Sequence, residues 1–157
     1  MTASQSWDDT VDLLVLGTGA AGLAAAVTGA AKGLKTLVLE KTEYLGGTTA
    51  YSAGTCWVPG HRHQRALGMT GERELASLYL DGVVGDKAPR EIREAYLEHG
   101  PEMIDWYDSL GVRFWHSATV VDYHPEVEGA GVGRALEPET FDGRVLSSED
   151  FRRVRPP

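Results

Sequence analysis

The chain has 157 residues, a formal net charge of −8, one cysteine and 42% hydrophobic residues. This length suits one ordinary domain with one hydrophobic core, and the composition is that of a globular protein rather than a fibre or a disordered chain. The acidic balance argues against a nucleic-acid partner, the lone cysteine excludes an intrachain disulfide, and the lack of a secretory leader or a long apolar run predicts a cytoplasmic protein with no integral membrane segment.

The first predicted elements form a strand–helix–strand unit. The apolar run at residues 12–16 predicts a buried parallel strand that ends at a glycine. The alanine-rich residues 22–32 predict a tightly packed helix, with Gly33 at its C-terminal end. Residues 36–39 predict a second buried strand, followed by Glu40. These elements predict an α/β class with a Rossmann-like βαβ unit.

The middle of the chain is predicted to be helical. Small and hydroxyl residues dominate positions 46–60, which predicts a loop with one helical turn. Apolar spacing predicts a helix over residues 72–84. Further helices are predicted over residues 89–99, which begin with a proline, and over residues 101–110, where Gly111 ends the pattern.

The last part of the chain gives a weaker pattern. Residues 112–114 and 119–121 predict short strands. Beyond Pro125 the chain is rich in glycine, proline and glutamate, and no definite element is predicted there. Residues 152–157 are expected to form a disordered tail.

A glycine loop joins the first predicted strand to the first helix. It has the spacing G-x-G-x-x-G and consists of Gly17, Thr18, Gly19, Ala20, Ala21 and Gly22. Gly17 permits the tight turn, Gly19 lets a diphosphate approach the backbone, and Gly22 lets helix and strand pack closely. The unpaired N–H groups of the helix N-terminus attract phosphate. The loop therefore predicts a dinucleotide site.

Glu40 stands where such sites carry an acidic residue, at the end of the second strand. Its carboxylate would accept hydrogen bonds from both ribose hydroxyls of an adenosine, and would repel the 2′-phosphate of NADP. The alternative is a solvated residue at a strand end. The spacing between the three glycines and Glu40 in the sequence favours the binding role.

A second glycine loop follows, and both loops together indicate which dinucleotide is bound. Its residues are Lys41, Thr42, Gly46, Gly47, Thr48, Thr49, Ala50, Tyr51, Ser52, Ala53 and Gly54. This stretch resembles the flavin-phosphate segment of the fumarate reductase and succinate dehydrogenase flavoprotein superfamily. The resemblance implies FAD, with the backbone along the ribityl chain and hydrogen bonds from hydroxyls such as those of Thr48, Thr49 and Ser52. The alternative is an ordinary flexible loop.

Within that superfamily the chain is similar to the 3-ketosteroid Δ1-dehydrogenases. The similarity lies in Leu39-Glu40-Lys41-Thr42 with the second glycine loop and Trp57-Val58-Pro59, in Val121-Asp122-Tyr123-His124-Pro125-Glu126, and in Gly133-Arg134-Ala135-Leu136-Glu137-Pro138 with Phe141-Asp142-Gly143-Arg144. Succinate dehydrogenases attach FAD through a histidine of the second loop. No histidine lies between Gly46 and Gly54, so the resemblance implies non-covalent FAD.

The resemblance also implies a reaction. The family removes a proton from C2 and a hydride from C1 of a 3-ketosteroid, and the hydride goes to flavin N5. Tyr123 matches a tyrosine that supports the catalytic base. The alternative for Tyr123 is a half-buried aromatic whose hydroxyl bonds the backbone. The family's other catalytic tyrosines lie beyond residue 157.

Family members are much longer than this chain. Residues 1–157 are therefore expected to be the N-terminal portion of an FAD-binding domain, with a helical segment inserted after the second glycine loop. A C-terminal portion or a partner chain would complete the fold, and without it we expect exposed apolar surface with weak FAD binding or aggregation. A fumarate-reductase-like enzyme acting on another alkene or enone and a non-catalytic FAD-binding fragment remain the alternatives.

No metal site is predicted. His61 and His63 are two positions apart, a spacing that can bind metal on an extended segment, but no further ligands accompany them. A solvated loop is the favoured interpretation of these two histidines.

Overall fold

The computed structural model describes residues 7–156, which belong to two compact units. The first unit comprises Met1–Ser52 and Asp142–Pro157, and the second comprises Ala53–Phe141. Five strands and five α-helices occur in the described residues: β1 (Leu13–Leu16), α1 (Ala20–Ala31), β2 (Thr36–Leu39), β3 (Cys56–Trp57), α2 (Arg62–Ala66), α3 (Glu72–Val83), α4 (Arg90–Ser109), β4 (Phe114–His116), β5 (Ala135–Pro138) and α5 (Ser148–Arg153). Short 3₁₀ turns occur at Gly47–Tyr51, Gly85–Lys87 and Gly143–Val145.

The first unit contains the predicted βαβ arrangement. Strands β1 and β2 are parallel, with Leu13 opposite Thr36 and Leu16 opposite Leu39. Helix α1 connects them and ends at Ala31; Lys32 caps it, and Gly33 then has the positive φ of 78° that is common just after a helix. The alternation of local apolar runs and glycines was enough to predict these three elements.

The two strands are not buried on both faces, so that prediction is wrong for the described residues. Helix α1 packs on the face formed by Leu13 and Val15, and Val15 is only 6% exposed. The other face consists of leucines that are 36–75% exposed, namely Leu14, Leu16, Leu37 and Leu39. Successive strand residues point to opposite faces, so one covering helix buries only half of an apolar strand. We call these four residues the leucine face.

Residues 152–156 do not form a disordered tail, and this prediction is also wrong. Helix α5 begins after Ser147, whose hydroxyl accepts a hydrogen bond from Asp150 N. Val154 then forms a parallel bridge with Leu45. Leu45 N donates to Arg153 O at 2.6 Å, and Arg155 N donates to Leu45 O at 3.0 Å. Residue 157 lies outside the described residues.

The second unit combines a three-stranded antiparallel sheet, in the order β3-β5-β4, with helices α2, α3 and α4. Its core contains Val58, Ile104 and Leu136, with Cys56, Met103 and Phe114 packed against them. Helix α3 begins at the predicted residue and ends one residue before the predicted end, whereas the two predicted helices around Pro101 form the single helix α4. Pro101 removes one backbone donor without ending this long helix.

The strands of the second unit differ from the prediction. The first predicted short strand is shifted to Phe114–His116, and at residues 119–121 only Val121 forms a bridge, with Val132. Strand β5 lies in the region for which no element was predicted. Its partners, β3 and β4, are distant in sequence, and a local pattern carries little information about such pairing.

Candidate functional site

A cleft of about 770 Å³ lies in the first unit, at the carboxyl ends of β1 and β2. Ligands of α/β proteins bind in this position relative to parallel strands. Most residues lining the cleft were predicted to bind cofactor. The lining consists of Leu16, Gly17, Thr18, Gly19, Leu39, Glu40, Lys41, Thr42, Gly47, Thr48, Tyr51 and Arg155.

The glycine loop leaves one end of the cleft open. Gly17 has a φ of +94°, and a Cβ built on Gly17 or Gly19 would meet no described atom within 4 Å. Ala20 N donates to the Thr49 hydroxyl at 3.2 Å. The N–H groups of Ala21 and Gly22 have no hydrogen-bond acceptor among residues 7–156. Open backbone with unpaired donors at a helix N-terminus suits an anionic group.

Gly22 is required for a different reason. A Cβ at this position would lie 2.1 Å from Gly17 O and 2.9 Å from Gly17 C. Those are backbone atoms, so the clash cannot be relieved by a side-chain rotation. Gly22 therefore allows α1 to approach the end of β1, whereas Gly19 leaves room inside the cleft.

The Glu40 carboxylate points back toward the glycine loop. Its Oε2 accepts hydrogen bonds from Thr18 N at 3.0 Å and from the Thr18 hydroxyl at 2.7 Å. Its Oε1 accepts from Thr42 N at 3.0 Å and lies 3.2 Å from the Thr42 hydroxyl. The Thr18 hydroxyl is the largest of the causes that lower the pKa of Glu40 to about 2, so this side chain is ionised at neutral pH.

The two glycine loops lie against each other. Gly46 N donates to the Thr18 hydroxyl at 3.0 Å. A Cβ on Gly47 would come within 3.0 Å of Gly19 Cα, so the backbones meet without intervening side chains. The 3₁₀ turn Gly47–Tyr51 is thereby held beside the N-terminus of α1. The loops, which are separated by a helix and a strand in sequence, form one surface.

Some predicted site residues lie outside the cleft lining. Seven of them are close to it in sequence but do not line it: Ala20, Ala21, Gly22, Gly46, Thr49, Ala50 and Ser52. Ala53 and Gly54 belong to the second unit, where Gly54 lies near Pro138. Three lining residues were missed by the sequence analysis: Leu16, Leu39 and Arg155.

Comparison with known proteins identifies the family. The FAD binding domain family matches residues 12–151. The chain belongs to the FAD binding domain family. FAD is therefore the cofactor, and the mixed helix and strand fold is that of FAD-binding flavoproteins.

Several relatives of this FAD-binding chain act on cyclic ketones, according to their names. It is 36% identical over 148 residues to a 3-oxosteroid 1-dehydrogenase of Mycolicibacterium smegmatis, covering 93% of this chain and 26% of the relative. It is 39% identical over 150 residues to a 4-oxocyclohex-2-ene-1-carboxylate 5-dehydrogenase of Sinomonas cyclohexanicum, covering 94% and 25%. The resemblance predicted from the sequence is thus confirmed.

A solved structure shows the same relationship. The 3-ketosteroid Δ1-dehydrogenase of Sterolibacterium denitrificans, in complex with 1,4-androstadiene-3,17-dione, superimposes with a TM-score of 0.83 at 30% identity, covering 92% of this chain and 26% of that one. The FAD-binding chain thus spans about a quarter of the length of the relatives it matches.

Within residues 7–156, none of the helices is both long and apolar enough to cross a bilayer.

Tyr123, the predicted catalytic residue of the FAD-binding chain, lies in the second unit and is 96% exposed. The alternative of a half-buried side chain is therefore wrong. The preceding residue, Asp122, is only 5% exposed. Its carboxylate accepts from Trp57 Nε1 at 2.7 Å, Arg134 Nη1 at 2.7 Å and Gly131 N at 2.9 Å. A buried polar cluster thus fixes the backbone from which Tyr123 projects.

His61 is fully buried, so the interpretation as a solvated loop is wrong for this residue. Its Nδ1 accepts from His63 N and Gln64 N at the start of α2, and its Nε2 lies 2.9 Å from Gly133 O. These contacts suit a neutral ring with the proton on Nε2. Burial lowers the pKa of His61 to about 4. Among the described residues, no group of three or more His, Cys, Asp or Glu side chains is arranged to hold a metal ion.

Proposed function

We propose that the cleft of the first unit binds the ADP portion of FAD. The diphosphate lies against the open glycine loop, and the adenosine ribose lies at Glu40. The position of the Glu40 carboxylate, bonded to the Thr18 amide beside an open turn, carries this proposal. An ionised acceptor and unpaired N–H donors there match the two parts of an adenosine diphosphate.

Glu40 must exchange partners to bind a ribose. A carboxylate has about four acceptor positions; the Thr18 amide, the Thr18 hydroxyl and the Thr42 amide donate to three of them, and the Thr42 hydroxyl can donate either to Glu40 or to Tyr44 O. The two main-chain N–H bonds keep the carboxylate oriented. The two hydroxyls can rotate away, and ribose hydroxyls can take their place at little cost because each lost bond is replaced.

The second glycine loop is the proposed contact for the flavin side of the cofactor. We propose that Lys41, Thr42, Gly46, Gly47, Thr48, Thr49, Ala50, Tyr51, Ser52, Ala53 and Gly54 hold that half, without a covalent bond. Gly47, Thr48 and Tyr51 line the cleft, and Thr49 is tied to the N-terminus of α1. The absence of a histidine from this loop supports non-covalent binding.

The protein that contains this chain is proposed to desaturate a 3-ketosteroid between C1 and C2. When bound, FAD supplies the hydride acceptor at N5. Tyr123 is proposed to support the base that takes the proton from C2, and its exposed phenol is available to donate a hydrogen bond to that base. Similarity to the 3-oxosteroid 1-dehydrogenases supports this substrate class.

A second candidate substrate is a smaller cyclic ketone that carries a carboxylate. The relative from Sinomonas cyclohexanicum, which is named for such a compound, is 39% identical to this chain. The discriminating experiment is dye reduction by the FAD-loaded protein with a 3-ketosteroid or a 4-oxocyclohexane carboxylate as electron donor. Reduction only by the carboxylate would favour the second candidate, and Tyr123→Phe should slow turnover of the true substrate.

A pair of glycine variants tests the binding site. Gly19→Ala places a methyl group in open space at an ordinary backbone conformation, with φ of −70°, so the fold should persist while FAD affinity falls. Gly22→Ala creates the clash with Gly17 O and should lower the free energy of unfolding by about 3 kcal/mol or more. Fluorescence titration with FAD and urea unfolding measure the two effects. Unchanged FAD affinity in Gly19→Ala would contradict the proposal.

A further inference from the structure

Arg155 is a cation in the cleft that the glycine motifs do not include. It is placed there by its main chain, because Arg155 N donates to Leu45 O and the adjacent Val154 bridges Leu45. The side chain then lines the same cleft as Gly19 and Glu40. The fold thus brings a basic residue from near the C-terminal end of the described chain to the glycine loops.

The Arg155 guanidinium is held in position but is not neutralised. Its Cζ lies 5.7 Å from the Tyr44 ring centroid and 5.9 Å from the Tyr51 ring centroid. Its Nη2 donates to the Thr42 hydroxyl at 3.1 Å. Among residues 7–156 it forms no ion pair with a carboxylate, and its buried Nε has no hydrogen-bond partner.

This arrangement matters because the chain is acidic. Most arginines in the described residues pair with Asp or Glu, as Arg153 does with Glu149. An arginine whose guanidinium lies near two aromatic rings and forms no ion pair is preorganised for a planar or tetrahedral oxyanion. Its bond to Thr42, whose hydroxyl lies 3.2 Å from Glu40 Oε1, connects it to the proposed ribose position.

We propose that Arg155 is a further FAD-binding residue that contacts the diphosphate of the cofactor. This inference rests on the proposed placement of the ADP portion in the cleft. Neither the glycine loop nor the N-terminus of α1 has a positively charged side chain. Arg155 supplies one. Adenosine carries no charge, so the guanidinium should favour binding of the diphosphate over binding of the sugar or base.

Calorimetric titration of the full chain with ADP and with adenosine tests this role. Arg155→Ala should weaken ADP binding about tenfold, the expected loss for one hydrogen bond to a charged group, and should leave adenosine binding unchanged. Arg155→Lys keeps the charge without the planar fork and should have an intermediate effect. Circular dichroism checks that each variant is folded.

Arg152→Ala is the matched control, because it removes the same charge from a side chain outside the cleft lining. Its ADP affinity should equal that of the wild type. An equal loss of ADP affinity in Arg152→Ala and Arg155→Ala would show a long-range charge effect and would overturn the inference. Loss of adenosine binding in Arg155→Ala would also overturn it. Wild-type affinity for ADP in Arg155→Ala would overturn only the inference, whereas no FAD or ADP binding by the wild type would overturn the proposed function as well.

Discussion

Glu40 shows how hydrogen bonds from two threonines can lower the pKa of a half-buried carboxylate. The Thr18 hydroxyl is the largest cause of its lowered pKa, and the Thr42 hydroxyl is the smallest of the lowering contacts. A carboxyl pKa below its ordinary value stabilises the folded state above that ordinary value, 4.5, and this stabilisation is lost as the pH falls toward 2.

Thr18→Val should therefore raise the pKa of Glu40 toward 4.5. Thr42→Val is the matched control and should raise it less. Carboxyl chemical shifts followed by NMR over an acid titration measure both pKa values. The same rise in both variants would contradict the account, because the two hydroxyls would then be equivalent.

His61 is the opposite case to Glu40, because it is a buried side chain that is kept neutral. Its pKa of about 4 in the folded state lies below its ordinary value of 6.5. The unfolded chain therefore binds more protons between these values, so the free energy of unfolding should rise with pH across this window and then level off.

His61→Asn removes this titration and keeps an acceptor at the start of α2. Urea unfolding of this variant should depend less on pH between about 4 and 6.5 than unfolding of the wild type. A pH dependence in His61→Asn as steep as that of the wild type would show that other groups cause it.

At the scale of elements, β1 presents one covered face and one uncovered face. Leu16 is 75% exposed, whereas its neighbour Val15 is 6% exposed. Leu16→Gln should change the free energy of unfolding by no more than about 0.5 kcal/mol and should reduce self-association, because it breaks the leucine face. Val15→Gln should lower the free energy of unfolding by about 2 kcal/mol or more, because it buries an amide. Urea unfolding and light scattering measure these effects, and equal destabilisation by both would contradict the assignment of faces.

Sequence reasoning succeeded where the determining contacts are local. The βαβ unit follows from short apolar runs and from glycines whose spacing matches the contacts they make, such as Gly22 with Gly17. It failed for Arg155, whose side chain meets Thr42 from 113 positions away through a main-chain bridge that no local pattern encodes. Strand β5 was missed for the same reason. The buried charges of Arg134 and Asp122 could not be predicted either, because each depends on the other.

At the scale of the whole molecule, the chain matches about a quarter of the length of its relatives and exposes the leucine face. Completion of the fold by a C-terminal portion or a partner chain stays a prediction. Non-covalent attachment is a separate prediction. Acid precipitation of the FAD-loaded protein should release all flavin fluorescence into the supernatant, and flavin retained in the pellet after washing in denaturant would contradict it.

The turn between β1 and α1 is proposed to bind the cofactor diphosphate. The most direct test is NMR titration of the isotopically labelled chain with ADP, observed at each backbone amide. We expect the amides of Gly19, Ala21 and Gly22 to shift in a saturable manner, together with those of Glu40 and Thr42. Saturable binding that leaves these amides unchanged and shifts only residues of the second unit would contradict the account.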